Sequence, residues 1–205
     1  MMSVVHVFIL FCLFNVSTCA DIYVSMNGTD DTTCGSFGQP CQTIQYAINL
    51  SNNGDTISVS PGTYSNSFLT FNYKNIILVY LFFFVPPKNC FYSIFNKSKF
   101  KSGDNATIDC GSVNDTIREA SDIFFSNQTT QTIVNNFNFQ NCGIFFNETA
   151  SPILSNIIYT TNTHHNNIIN ITDQSRPSFQ NCTFQNGESV TNLMIISNSS
   201  ATVCF

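Results

Sequence analysis

The chain has 205 residues, 43% of them hydrophobic and only 9% charged, with a net charge of -5. An average chain is roughly a quarter charged, so neutral Asn, Ser and Thr must keep this surface soluble, and the length suits one domain. The acidic balance provides no basic patch for nucleic acid or anionic lipid.

Residues 1–20 read as a secretory signal peptide. The apolar run 4–14 is too short to span a bilayer, and Thr18 and Ala20 are small residues at positions -3 and -1 of a cut before Asp21. No Lys or Arg precedes the run, so an uncleaved N-terminal anchor is the competing reading. A secreted, extracellular protein is expected. Asn-x-Ser/Thr occurs at Asn27, Asn49, Asn96, Asn105, Asn114, Asn127, Asn147, Asn170, Asn181 and Asn198, the candidate N-glycosylation positions of a glycoprotein. Of 9 Cys, Cys12 and Cys19 lie in the leader. The remainder is odd, which implies a free thiol or a partner outside the chain. Cys34 and Cys41 flank a turn-rich loop and are the candidates for a local disulfide.

The expected mature part, 21–205, opens with the alternating Asp21-Ile-Tyr-Val-Ser25, a strand signal. After the Cys34–Cys41 loop, Ile44, Ala47 and Ile48 fall at helical spacing behind Thr43, a suitable N-cap. Asn52-Asn-Gly-Asp55 ends that helix, Thr56-Ile-Ser-Val-Ser60 alternates again, and Pro61-Gly-Thr-Tyr64 reads as a turn.

The order of strand, Thr-Ile-x-x-Ala-Ile, Gly-Asp turn and Ile-x-Val-x-Pro-Gly-Thr-Tyr resembles the opening of pectin lyase-like proteins, pectin methylesterases among them. It covers residues 21–64, about a fifth of the chain. The resemblance implies an all-β fold, a right-handed parallel β-helix (a single-stranded solenoid) whose open end is closed by a short N-terminal capping helix. Each coil of such a solenoid takes roughly 20–30 residues. Ala106-Thr-Ile-Asp-Cys110 resembles an early coil of that family.

Phe137-Asn-Phe-Gln-Asn-Cys142 and Phe179-Gln-Asn-Cys182 share Phe-Gln-Asn-Cys and read as two related coils. Phe137 and Phe139 are then expected inward, and Asn141 and Asn181 are expected to stack as an amide ladder. Cys142 and Cys182, in matching positions, are expected as stacked thiols or as a disulfide between coils. Two features fit less well. Residues 73–100 carry the continuous apolar run 76–85, followed by Pro86-Pro87. They read as an atypical insertion, either a genuine loop or translated non-coding sequence. A solenoid also needs a cap on its last coil, so the strand Leu193-Met-Ile-Ile196 near the end points to a truncated relative of a longer protein.

For chemistry, pectin-active enzymes need carboxylates gathered on one groove. Asp115, Glu119 and Asp122 are the densest set here, but beside Arg118 they read as a solvated face. His164 and His165 are adjacent, so on a strand they point to opposite faces and cannot share one metal. No catalytic residue, metal ligand or cofactor is assigned. The leading expectation is a non-catalytic surface or binding protein that offers a flat polar sheet to extracellular glycans or proteins. No nucleic acid partner and no transmembrane helix in the mature chain are expected. The alternatives are a polyuronide-active lyase, hydrolase or esterase, and a non-functional fragment of a longer β-helix protein.

Overall fold

The computed structural model describes residues 20–65, 68–71, 73–80, 106–111, 122–126, 132–160, 167–185, 192–196 and 202–204. Strand β1 (Asp21–Val24) and helix α1 (Ile44–Leu50) precede a first coil of β2 (Thr56–Val59), β3 (Thr63–Ser65) and β4 (Leu69–Thr70). The next coils are β5 (Ile77–Tyr80), β6 (Ala106–Asp109), β7 (Ile123–Ser126), then β8 (Ile133–Asn135), β9 (Phe137–Gln140), β10 (Ile144–Asn147). They are followed by β11 (Ile153–Ser155), β12 (Ile158–Thr160), β13 (Asn167–Ile171), and by β14 (Ser178–Gln180), β15 (Thr183–Gln185), β16 (Asn192–Ile196), with β17 (Thr202–Cys204) after them.

From β2 onward every third strand falls in the same sheet, and β1 pairs with β2 at the edge of the first. Sheet 1 runs β1-β2-β5-β8-β11-β14-β17, sheet 2 runs β3-β6-β9-β12-β15, and sheet 3 runs β4-β7-β10-β13-β16. All these pairings are parallel, as in Ile144 against both Ile123 and Ile169. The chain is a parallel β-helix. Its strands are short because each covers one wall of a three-sided coil, and inward and outward residues alternate along them, as in β7 and β10.

The N-terminal end is closed by α1. Thr43 Oγ1 accepts from Tyr46 N–H at 3.2 Å as the N-cap, and Ile44, Ala47 and Ile48 are buried over the first coil. Gln45 performs a second task. Its Oε1 accepts from Thr70 N–H at 2.8 Å and its Nε2 donates to Thr70 O at 3.5 Å, so one side-chain amide continues the ladder beyond edge strand β4. At the other end of α1, Lys74 Nζ donates to the carbonyls of Ile48, Asn49 and Ser51 at 2.6, 2.8 and 2.8 Å. These acceptors belong to the last turn, where a cation also meets the negative end of the helix dipole.

Three sequence expectations change here. The turn after β2 is shorter than read: Pro61-Gly62 turns the corner and Thr63–Ser65 is already β3, with Tyr64 buried. Asn141 and Asn181 do not stack on each other. Asn141 follows β9 and leads to sheet 3, whereas Asn181 follows β14 and leads to sheet 2, so the shared phrase occupies two different corners. Asn141 Nδ2 instead donates to Asp109 Oδ1 at 3.2 Å. Asn181 Nδ2 donates to Asn156 Oδ1 at 2.6 Å, and Asn156 Nδ2 donates to Asn135 Oδ1 at 2.8 Å. An amide ladder therefore exists, at the corner between sheets 1 and 2. Asn136, Asn156 and Asn181 occupy that corner with φ of 64°, 53° and 51°, a conformation Asn tolerates better than most residues. Finally, Cys142 bonds to Cys110, and Cys182 is a free buried thiol whose pKa is raised by burial.

The apolar run at 76–85 divides. Ile77–Tyr80 is a regular strand of sheet 1, with Thr56 paired to Ile77 and Ile77 to Ile133, and Leu78 and Tyr80 pointing inward. Residues 81–100 lie outside the described part. Inside the coil, Phe137 and Phe139 are buried as expected, and Phe71, Phe125 and Phe146 form an inner column. Their centroids are 4.7 and 5.0 Å apart and their planes within 10° of parallel. Such pairs add roughly 0.5–1.5 kcal/mol each beyond area burial.

Candidate functional site

Five of the described carboxylates, those of Asp30, Asp31, Asp55, Asp109 and Asp122, accept backbone N–H groups. Asp30 Oδ1 accepts from Gln42 and Thr43 N–H at 2.7 and 3.0 Å, and its Oδ2 accepts from Thr43 Oγ1 at 2.7 Å. This clasp holds the start of α1 against the disulfide loop. Asp31 accepts from Thr33 Oγ1 and N–H, both at 2.7 Å, and these bonds lower its pKa. Asp55 accepts from Asn52 N–H, Asp109 from Gly111 N–H at 3.0 Å, and Asp122 from Gly143 N–H at 3.0 Å. A Cβ at Gly143 would lie 2.7 Å from Asp122 Oδ1 and 2.8 Å from the Phe145 ring, so those side chains would have to shift to admit one.

Convergence of three carboxylates on one groove would have been the mark of a pectin-active centre. Among the described residues, the group of three acidic or sulfur ligands within reach of one ion is Asp30, Cys34 and Cys41. The two sulfurs are joined in a disulfide, which leaves no thiolate to bind a metal. Asp115, Glu119, Arg118, His164 and His165 lie outside the described residues. Arg176 is exposed, and its N–H donates to Ala150 O.

Sheets 2 and 3 present two different outward faces. Sheet 2 presents Thr63, Thr107, Asn138 and Thr183 in one row, interrupted by Ile158. The second row is Ser65, Asp109, Gln140, Thr160 and Gln185. It is a polar wall with a single charge. Sheet 3 presents an aromatic column instead. Phe124 stacks on Phe145 with centroids 4.9 Å apart and planes 12° from parallel, and Phe68 leans on Phe124 at 5.6 Å. Phe124 and Phe145 are outward, half-buried residues of β7 and β10, and Phe68 is 37% exposed.

Neutral polar groups flank that column. Asn170 is the strand partner of Phe145, and Asn147 that of Ser126. Thr172 Oγ1 lies 3.1 Å from both Asn147 Oδ1 and Asp173 Oδ2 and 3.3 Å from Phe146 O, so its one proton serves these acceptors in turn. Tyr73, 68% exposed, sits at the next corner with its N–H on Ser126 O. Stacking covers the ring faces within the column, so it presents ring edges and a rim of amides and hydroxyls to solvent. Apolar edges beside fixed polar groups can take up a ligand that is itself part apolar and part hydroxylic.

The sequence reading missed this column. Its signal was the repeated Ile123-Phe-Phe-Ser126 and Ile144-Phe-Phe-Asn147, in which the first Phe faces out and the second faces in. Of the candidate glycosylation positions, Asn27, Asn49 and Asn181 are exposed, and Asn147 and Asn170 are half-buried on sheet 3. Asn96, Asn105, Asn114, Asn127 and Asn198 lie outside the described residues. No helix among the described residues is long and apolar enough to cross a membrane.

Residues 26–70 match a family described as "Protein of unknown function (DUF1565)". The match spans the disulfide loop, α1 and the first coil. No curated protein and no solved structure matches the chain.

Proposed function

We propose that the chain is a secreted, non-catalytic surface protein, related to the pectin lyase-like β-helices, that binds neutral glycans across the outer face of sheet 3. The observation that carries this reading is the outward column Phe68, Phe124 and Phe145 beside Asn147, Asn170 and Ser126. A sugar presents C–H groups on one side and hydroxyls around its rim. The first pack by dispersion against the exposed ring edges, and the second exchange water for amide and hydroxyl partners. The engagement of Asp30, Asp31, Asp55, Asp109 and Asp122 with backbone N–H groups supports binding over hydrolysis or elimination, both of which need carboxylates aimed into a groove. The leader-like segment 1–20 and the excess of Asn-x-Ser/Thr support export.

The test is affinity electrophoresis of the purified chain through gels containing neutral or uronic-acid polysaccharides. Retardation by a neutral glycan, lost in Phe145→Ala with the circular dichroism of the fold intact, is the expected result. Absence of retardation by every polysaccharide overturns glycan binding. Release of reducing ends, unsaturated products or methanol from polyuronides establishes an enzyme instead.

A further inference from the structure

Asp55 is buried, at 3% exposure, where α1 hands over to β2. Its Oδ2 accepts from Asn52 N–H at 2.7 Å and its Oδ1 from Ala20 N–H at 2.9 Å. The Ala20 carbonyl in turn accepts from Thr56 N–H at 2.9 Å and starts the ladder between β1 and β2. Ala20 is thus tied to the first coil through both its nitrogen and its oxygen. Two other charged groups act on this point. The Asp21 carboxyl is pushed up by burial and by the charge of Asp55. The Lys74 ammonium feels the same carboxylate but is already engaged with three carbonyls. The Asp55 carboxylate thus acts on both groups, and the one cation beside it is shared with the helix end.

From this geometry we infer that the mature chain begins at Ala20, and that the α-ammonium released there is the counter-ion of Asp55. The step is hydrolysis of the Cys19–Ala20 peptide bond by the protease that removes export leaders. Water supplies the hydroxyl that ends Cys19 as a carboxylate, and the amide nitrogen of Ala20 takes up protons to become an ammonium. Ser17 and Cys19 then stand at -3 and -1, both small residues. A cut one bond later, before Asp21, would remove Ala20 and with it the bonds to Asp55 and to Thr56. A cut before Ala20 keeps both and turns the first from a neutral donor into a charged one, which is shorter and stronger. Leader removal then completes the N-terminal cap and gives the Asp55 carboxylate a cation of its own.

The inference rests on export with leader removal, and the experiment separates the two. The full chain is expressed in a secreting cell and the product is read by N-terminal sequencing and intact mass. A start at Ala20 is expected. A start at Asp21 overturns the inference and leaves export standing, whereas a secreted product that retains residue 1 overturns both. Chain 20–205 with a free amine is then compared with the same chain acetylated at its α-amine. The free form is expected to melt several degrees higher, and the difference to vanish in Asp55→Asn. Equal melting of the two forms overturns the ion pair. So does a difference that persists in Asp55→Asn, and the wild-type comparison still decides if that variant does not fold.

Discussion

Replacing Asn156 by Ala tests how the corner between sheets 1 and 2 is held. The side chain makes two bonds, donating to Asn135 at 2.8 Å and accepting from Asn181 at 2.6 Å. Each is worth about 0.5–1.5 kcal/mol net. The backbone sits at φ 53°, which costs an ordinary L-residue about 1–2 kcal/mol, less for Asn because its short side chain bonds locally. Asn156→Ala is therefore expected to destabilise the chain by about 2–4 kcal/mol. For a chain of this size that lowers the melting temperature by roughly 5–15 °C. Asn156→Gly loses the same two bonds but is at ease with positive φ, so its loss is expected to be smaller by about 1 kcal/mol. The assay is thermal unfolding of the three purified chains by circular dichroism. Equal losses for Ala and Gly would refute the conformational part of the argument. A loss under about 0.5 kcal/mol for Ala would refute the ladder, since that is what an uninvolved surface position shows.

Three further outcomes are expected. Removing the Cys110–Cys142 bond, which spans 32 residues, by a double Cys→Ala change is expected to cost about 3–4 kcal/mol, against about 2–2.5 for the 7-residue Cys34–Cys41 loop. Urea titration measures both, and the reverse order would exclude loop entropy as the main term. Lys74→Met is expected to cost about 2 kcal/mol, discounted for the solvent that reaches its head group. Hydrogen exchange should then quicken in α1 first, and unchanged exchange there would deny the capping role. Asp21 has its pKa raised from 3.8, first by burial and then by Asp55. The folded state thus holds its proton more tightly. That contribution is complete below pH 3.8 and is lost as pH rises through the higher folded value. In chain 20–205 acetylated at its α-amine, where no ammonium adjoins Asp21, Asp21→Asn should accordingly melt above its parent at pH 7 and level with it near pH 3, and a gain independent of pH would contradict the assignment.

The cap and first coil were legible because each carries a distinct local signal. The helix has period 3.6, the strands have period 2, and Thr43, Asn52-Asn-Gly-Asp55 and Pro61-Gly62 punctuate them. Later coils lack such contrast. A three-sided coil contains three short strands of similar pattern, so a repeated phrase does not reveal which wall it occupies. The two Phe-Gln-Asn-Cys phrases illustrate this: one leaves β9 and the other β14, on different walls. The corner residues Asn136, Asn141, Asn156 and Asn181 were hidden by an Asn-rich composition, because a single Asn carries no mark of positive φ. Strand β5 was hidden for the opposite reason. Its outward Ile77 and Val79 are apolar, which erases the alternation that β-strand reading depends on. The bond from Cys110 to Cys142 joins consecutive coils, and cysteine spacing does not determine connectivity.

The use of charge in this fold also bears on how it recognises a partner. With so few ionisable residues, the chain sets Asp30, Asp55, Asp109 and Asp122 on backbone N–H groups and Lys74 on the end of α1. The outward positions of β7 and β10 are Phe, Ser and Asn, and Asn170 continues them on β13. A partner docking there meets dispersion and hydrogen bonding, with little field to steer it. Binding across sheet 3 should then keep its strength as salt rises, because screening acts on charges and leaves C–H packing on aromatic rings almost untouched. A polyuronide held by cations would behave in the opposite way, weakening steeply with salt. Retardation in affinity gels at about 0.01 M and 1 M salt, where the screening length falls from about 30 to 3 Å, therefore discriminates the two ligand classes. Retardation that disappears at the higher salt would refute recognition by the aromatic face.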